Sequence, residues 1–263
     1  MARPRIGVFW FRRRPNFGDA LAPLLVQRFS GLDAYWAPPP RSDAVVIGSV
    51  AGHIARGYRG VVLGIGRFED GIPLDLSAAR VLGLRGELTR RDSGATGEIV
   101  LGDSGLLAAE LFGVEASPQR PLGVVAHLND SSLRATYPDA LHIDVGDDPA
   151  SFVRKIASCE RIVSSSLHGL VTADALGLPR LWKMTPGARG VGYKFRDSPS
   201  ALGVAIEPDQ WISAPATRVA GIQGQLRDAF ARLEDALPED RPPEPSWLRR
   251  VRDNAAWRLS SKN

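Results

Sequence analysis

The chain has 263 residues, of which 44% are hydrophobic and 24% are charged, with 27 glycines and 20 prolines. This composition is typical of a soluble globular protein with one large or two small domains, and it excludes a disordered or a fibrous chain. The formal net charge is +4. Residues 247–263 alone contain five cations and one anion, so the rest of the chain is neutral and a nucleic-acid-binding surface is not expected.

Cysteine content and hydropathy indicate the cellular setting. Cys159 is the only cysteine, which argues against a disulfide framework and a cysteine-based zinc site and favours a reducing cytosol. Arginines at 12–14 interrupt the apolar run near the start, and no run approaches the roughly 20 apolar residues of a membrane span. We therefore expect a cytoplasmic protein with at most peripheral contact to the inner face of a membrane.

Nine short runs rich in β-branched residues predict strands. They lack polar alternation, as strands covered on both faces do, which favours parallel sheets in α/β layers. The runs are Ile6–Phe11, Ala44–Ile47, Val61–Leu63, Arg80–Leu84, Ile99–Leu101, Leu122–Ala126, Leu141–Val145, Arg161–Ser164 and Pro179–Trp182.

A polar, proline-bearing stretch at 116–121 predicts a linker between the fifth and sixth runs. It divides the chain into two Rossmann-like domains, 1–117 and 118–215, whose parallel sheets face across a cleft. The rest, 216–263, is expected to form C-terminal helices, including an amphipathic helix over 217–237. The basic tail at 247–263 either packs across the domains with its arginines solvated or lies on an anionic membrane.

Ligands of open parallel sheets bind beyond the carboxyl ends of the strands, and unusual polar residues follow several of the predicted strands. Those not discussed separately below are Arg85, Asp103, His127 and Asn129. A dinucleotide fingerprint, a phosphate-binding loop with Gly-Lys-Ser/Thr and an Asp-x-Asp motif are missing from the sequence. The motifs therefore indicate neither a dinucleotide nor a metal.

The strongest local signal is the segment Ser164-Ser165-Ser166-Leu167-His168-Gly169, between a predicted strand and a predicted helix. Three hydroxyls and a helix N-terminus form a site for phosphate or carboxylate. The positive helix end would keep His168 neutral and able to donate or accept a proton. An N-cap of serines with a packed histidine explains the same spacing.

Asn16-Phe17-Gly18-Asp19 precedes another predicted helix. Helix capping is the ordinary role of asparagine and aspartate there. Gly18 would allow a ligand to approach closely, whereas Asp19 would repel a phosphate. We therefore expect a sugar hydroxyl as the partner, with Asp19 as hydrogen-bond acceptor or base.

Lys194 and Arg196 follow a glycine-rich stretch at 184–192. A loop carrying these cations would close over a small dianion. A solvated surface loop is the alternative.

Taken together and in order, these motifs resemble the polysaccharide pyruvyl transferase family over about residues 6–203. The matching segments are Asn16–Asp19, Val62–Gly66, Leu84–Arg90, Leu101–Gly105, His127–Asn129, Val163–Gly169, Ala173–Pro179 and Lys194–Asp197. The resemblance implies a two-domain fold of the glycosyltransferase-B type. It also implies transfer of pyruvate from phosphoenolpyruvate to two hydroxyls of a saccharide or lipid-linked saccharide, as a cyclic ketal, with release of phosphate.

The resemblance implies an acid–base role for His168, and we expect Asp19 to assist it. Many family members have arginine where this chain has Ser166, so another cation is needed at the donor. The expected donor-binding residues are Ser164, Ser165, Ser166, Gly169, Arg85, Lys194 and Arg196, and the expected acceptor-binding residues are Asn16, Gly18, Asp103, His127 and Asn129. This chemistry requires proton transfer but neither a metal nor a redox cofactor.

Two other functions fit the same pattern. A nucleotide-sugar glycosyltransferase would have a similar architecture, although the sequence has no clear acidic residue for a ribose. A saccharide-binding relative without activity is supported by Ser166, the departure from the family pattern.

Overall fold

The computed structural model describes residues 3–54, 56–128, 130, 132–184 and 191–239. The strands are β1 (Arg5–Val8), β2 (Asp33–Trp36), β3 (Ala44–Val45), β4 (Val61–Val62), β5 (Arg80–Val81), β6 (Gly83–Leu84), β7 (Val100–Leu101), β8 (Gly123–Ala126), β9 (Leu141–Asp144), β10 (Ile162–Ser164), β11 (Arg180–Trp182) and β12 (Trp211–Ile212). The α-helices are α1 (Phe17–Ser30), α2 (Glu87–Ser93), α3 (Ala108–Phe112), α4 (Ser132–Thr136), α5 (Pro149–Ala157), α6 (Leu167–Ala175), α7 (Val191–Ser200) and α8 (Ala216–Ala231).

Two five-stranded sheets organise these elements. The first has the order β2-β1-β3-β4-β5 and is parallel throughout. Bridges through Ile65 continue it towards the parallel β6–β7 pair. The second sheet has the order β12-β11-β10-β8-β9, and only β12 runs antiparallel. The expected α/β class with parallel sheets is therefore confirmed.

Each of the nine predicted runs contains a strand, but the sequence interpretation missed β2 and β12. β2 starts at Asp33, is only half-buried along its length and lies at a sheet edge, so it lacks the apolar run that marked the others. β12 has two residues, too few for a pattern. The run 80–84 is divided between β5 and β6, which belong to different sheets.

A shared layer of helices connects the elements of the two sheets. Phe17 at the start of α1 stacks on Phe152 of α5, with ring centroids 4.0 Å apart. One continuous hydrophobic cluster contains both rings, together with strand residues of both sheets such as Ile6 and Val125. This packing brings the N-termini of α1 and α6 together.

The predicted linker at 116–121 is exposed but held by backbone hydrogen bonds. Ser117 N–H donates to Ala157 O at 2.8 Å, and Arg120 N–H donates to Ser158 O at 2.9 Å. The segment is thus attached to the end of α5. The predicted helix and tail at 247–263 lie outside the described residues, and within the described part of the chain no helix is long and apolar enough to cross a membrane.

Candidate active site

A cavity of about 670 Å³ opens where α1, α6 and α7 meet. It is lined by residues from both sides of the predicted linker, and many are polar. The lining residues are Phe11, Arg14, Asn16, Asp19, Ser49, Val50, Gly52, His53, Phe68, Ile72, His127, Leu128, Ser166, Leu167, His168 and Lys194.

The first turn of α1 places Asp19 in this cavity. Asn16 caps the helix, because its side-chain oxygen accepts the Gly18 N–H at 3.0 Å. Burial raises the pKa of Asp19 from 3.8 to about 7, against the opposing effect of the Lys194 ammonium. The carboxyl group therefore exchanges its proton near neutral pH, as an acid–base group must.

Two hydroxyls of the serine turn before α6 are hydrogen-bonded within the protein. Ser164 Oγ accepts the Ser166 N–H at 2.9 Å, and Ser165 Oγ accepts the His127 N–H at 2.9 Å. A Cβ on Gly169 would lie 2.4 Å from Ser164 Oγ, so this glycine allows close packing. Of the four residues predicted here to bind the donor, only Ser166 lines the cavity.

His168 lies in the first turn of α6 with 12% of its side chain exposed. Its ring packs against Gly18, since a Cβ there would lie 1.9 Å from Nδ1. The pKa of His168 is lowered, chiefly by burial, while Asp103 opposes the shift and Lys194 and Arg85 reinforce it. The pKa is shifted in the direction that the prediction of a neutral imidazole requires, but burial rather than the helix end is the largest cause.

The three candidate cations have different positions. Arg85 is fully buried, and its guanidinium donates to Asp197 at 2.8 Å, to Ser49 at 2.7 Å and to a backbone carbonyl. Arg196 is exposed and does not line the cavity. Lys194 is 8% exposed and lines the cavity. Burial, aided by Arg85 and opposed by Asp19, lowers the pKa of Lys194 to about 8.

Two of the matched segments meet at a buried cluster that orients α7. Asp197 accepts the Thr89 N–H at 2.9 Å, the Thr89 hydroxyl at 2.7 Å and the Arg85 guanidinium at 2.8 Å. Gly86 permits the contact, because a Cβ there would clash with the Asp197 carbonyl. The cluster fixes the helix that carries Lys194 to the loop after β6.

Only some of the residues predicted to bind the acceptor line the cavity. Asn16 and His127 line the cavity, and burial is the main cause that lowers the pKa of His127. Gly18 lies against the ring of His168. Asp103 is 1% exposed and lies behind His168 rather than in the cavity lining. Asn129 lies outside the described residues.

Several lining residues were missed by the sequence interpretation. Arg14 belongs to the arginine run that was considered only as an interruption of apolar sequence, and Ser49 follows β3 without a recognisable motif. Phe11, His53 and Phe68 add an aromatic side to the cavity. The chain has only four histidines, and three of them line the cavity. The small number of histidines was the sequence signal that could have pointed to His53.

The fold and the cavity define an α/β protein with a cavity lined by Asp19, by His168 and by the buried side chain of Lys194. No family model matches the chain. It is 27% identical over 253 residues to the succinoglycan biosynthesis protein ExoV of Rhizobium meliloti (strain 1021), covering 90% of this chain and 76% of that protein. It is 34% identical over 129 residues to the uncharacterized protein L143 of Acanthamoeba polyphaga mimivirus, covering 43% of this chain and 42% of that protein.

The two matches cover different fractions of the chain. The match to the mimivirus protein spans less than half of that relative's length. The match to the succinoglycan biosynthesis protein is more distant but extends over nearly the whole chain. The chain is therefore distantly similar to a protein of exopolysaccharide biosynthesis.

Proposed function

We propose that this chain transfers the pyruvyl group of phosphoenolpyruvate to two hydroxyls of a sugar in an exopolysaccharide or cell-envelope precursor, as a cyclic ketal. The observation that carries the proposal is the convergence of Asp19, His168 and Lys194 on one cavity. A neutral imidazole, a carboxyl group that titrates near pH 7 and a buried ammonium at a helix N-terminus suit an anionic substrate that needs proton transfer. The motif order and the similarity to a succinoglycan biosynthesis protein support the same function.

Each group has a role in the proposed reaction. Lys194 and the first N–H groups of α6 bind the phosphate and carboxylate of the donor. Asp19 delivers a proton to the methylene carbon, which makes the adjacent carbon electrophilic. His168 takes the proton of the sugar hydroxyl that attacks this carbon. The carbon–oxygen bond to phosphate breaks, and a second hydroxyl adds to the same carbon, closing the ketal and giving up its proton to the departing phosphate.

We further propose that the two five-stranded sheets belong to two Rossmann-like domains, 1–117 on the acceptor side and 118–215 on the donor side, in a glycosyltransferase-B-like arrangement. The cavity takes lining residues from both ranges, as a site between two such domains would. We place the protein in the cytoplasm, at the inner face of the membrane, because a lipid-linked acceptor would be held there.

Ligand binding is the first test. Thermal unfolding of the full chain is measured with phosphoenolpyruvate and, separately, with UDP- and GDP-sugars and with saccharides. The proposal predicts stabilisation by phosphoenolpyruvate. Stabilisation by nucleotide sugars alone would instead support a glycosyltransferase, and stabilisation by saccharides alone a non-catalytic binding protein.

Turnover is the second test. Phosphoenolpyruvate is incubated with lipid-linked and nucleotide-linked saccharides, and phosphate release is measured together with the mass gained by the acceptor. We expect His168→Gln to reduce kcat by about 10²- to 10⁴-fold, and Lys194→Met to raise the KM for phosphoenolpyruvate at least about tenfold. His142→Gln and Lys183→Met are matched controls outside the cavity lining. Wild-type kinetics in both site variants would overturn the assigned roles.

A further inference from the structure

A buried carboxylate lies directly behind His168. Asp103 Oδ1 is 3.7 Å from His168 Nε2, and Asp103 is not among the residues that line the cavity. Asp103 caps the short 3-10 helix at 104–107, where Oδ1 also accepts the Gly105 N–H at 2.9 Å. Its side chain is fully buried, so it cannot contact an acceptor sugar in this arrangement.

Each of these two side chains has a polar atom without a hydrogen-bond partner among the described residues. Among the described residues, neither His168 Nε2 nor Asp103 Oδ2 forms a hydrogen bond, although both atoms are buried. Buried polar atoms are normally satisfied, so two unsatisfied atoms on neighbouring side chains require an explanation. Catalytic hydrogen bonds are often long before the substrate binds.

Two glycines hold the imidazole in this orientation. A Cβ on Gly18 would lie 1.9 Å from Nδ1, and a Cβ on Gly105 would lie 3.3 Å from Cδ2 of the same ring. The ring is thus enclosed between the first turn of α1 and the 3-10 helix. Its Nε2 faces Asp103, while its Nδ1 faces the turn that carries Asp19.

We infer that Asp103 is a positioning residue, whose carboxylate keeps the proton of neutral His168 on Nε2 and leaves the lone pair of Nδ1 as the base of the site. A carboxylate favours the tautomer whose N–H points towards it, and it stabilises the imidazolium formed after proton uptake. The role of Nδ1 as base rests on the proposed function, whereas the tautomer does not. Asp103 also opposes the lowering of the His168 pKa by burial, Lys194 and Arg85.

The tautomer is measured by nitrogen-15 NMR of the full chain labelled at histidine. The four histidines are assigned by single substitutions, and the shifts of the two ring nitrogens distinguish the tautomers. We expect His168 to be protonated at Nε2 at neutral pH. Asp103→Asn keeps an oxygen for the Gly105 N–H but removes the charge, so the tautomer preference should shift towards Nδ1–H and the imidazolium should form only at lower pH.

Ser104→Ala is the matched control, since Ser104 is an equally buried neighbour whose hydroxyl has no hydrogen-bond partner among the described residues. It should change neither the tautomer nor the titration of His168. With an active acceptor in hand, Asp103→Asn should reduce kcat on the order of 10²-fold with little change in either KM.

Two results would overturn the inference. The first is a His168 protonated at Nδ1 in the wild-type chain. The second is an Asp103→Asn variant that keeps both the wild-type tautomer and the wild-type titration. Because NMR requires no substrate, a failed tautomer assignment is distinguishable from a failed pyruvyltransferase assay.

Discussion

Replacing Gly18 with alanine tests how closely α1 approaches His168. The added Cβ would lie 1.9 Å from Nδ1, 2.2 Å from Cε1 and 2.5 Å from Cγ of the ring, and real Cβ contacts essentially never fall below 3.0 Å. The ring or the helix must therefore move by about 1.1 Å. Gly105 lies near another edge of the ring, where an added Cβ would be 3.3 Å from Cδ2.

Gly18→Ala should lower both kcat and the free energy of unfolding. A misplacement of about 1 Å of a reacting group costs roughly 10²-fold in rate, and an extra methyl in a closely packed site costs about 1 to 3 kcal/mol. We expect kcat for pyruvyl transfer to decrease by about 10²-fold. We expect the free energy of unfolding in urea to decrease by about 1 to 3 kcal/mol.

A control separates the steric effect from the general effect of alanine in a helix. Gly221 lies in α8, and a Cβ there would meet no atom within 4 Å. Gly221→Ala should stabilise the chain by about 0.5 to 1 kcal/mol and leave kcat unchanged. A Gly18→Ala variant with the kcat and the unfolding free energy of the wild type would refute the reasoning.

Three further substitutions test individual side chains. The Asp19 pKa is raised from 3.8 to about 7 on folding, so wild-type stability falls as pH rises from about 4 to 7. Asp19→Asn should lack this decline and gain on the order of 4 kcal/mol relative to wild type across that window. The same dependence of the unfolding free energy on pH in both proteins would contradict this expectation. Asp197→Asn leaves the buried Arg85 guanidinium without its counter-ion and should lower the unfolding free energy by about 3 to 5 kcal/mol. Asp209→Asn is the control, because it breaks a surface ion pair and should lower the unfolding free energy by less than about 1 kcal/mol. Asn16→Ser should keep the helix cap and therefore the unfolding midpoint. A raised KM for the acceptor in this variant would then indicate that Asn16 binds the acceptor directly, whereas an unchanged KM would restrict Asn16 to capping.

Much of the fold could be predicted from local sequence. Apolar runs without alternation identified the strands of parallel sheets, because a strand covered on both faces must be hydrophobic throughout. β2 could not be found this way, since an edge strand that is half-buried from Asp33 to Trp36 needs no apolar run. The antiparallel β12 depends on its pairing with β11, a contact between residues distant in the chain.

The candidate site was predictable in outline but not in detail. Residues after strand ends were expected near a ligand, and Asn16, Asp19, His127, Ser166, His168 and Lys194 do line one cavity. Arg85 and Asp103 are also charged residues that follow strands, yet both are buried and neither lines the cavity. Sequence position alone does not distinguish a charged group that faces a ligand from one that pairs inside the protein.

The sequence by itself determined the α/β class, the position of His168 at a helix N-terminus and the association of unusual polar residues with strand ends. These properties follow from periodicity, capping and chain direction, which act over a few residues. The tertiary structure decided that, of the three predicted donor-binding cations, Lys194 lines the cavity, that Asp197 holds its helix and that Asp103 lies next to the imidazole. Burial and pairing between distant segments set these outcomes, because the charge state of a group depends on the atoms that replace water around it.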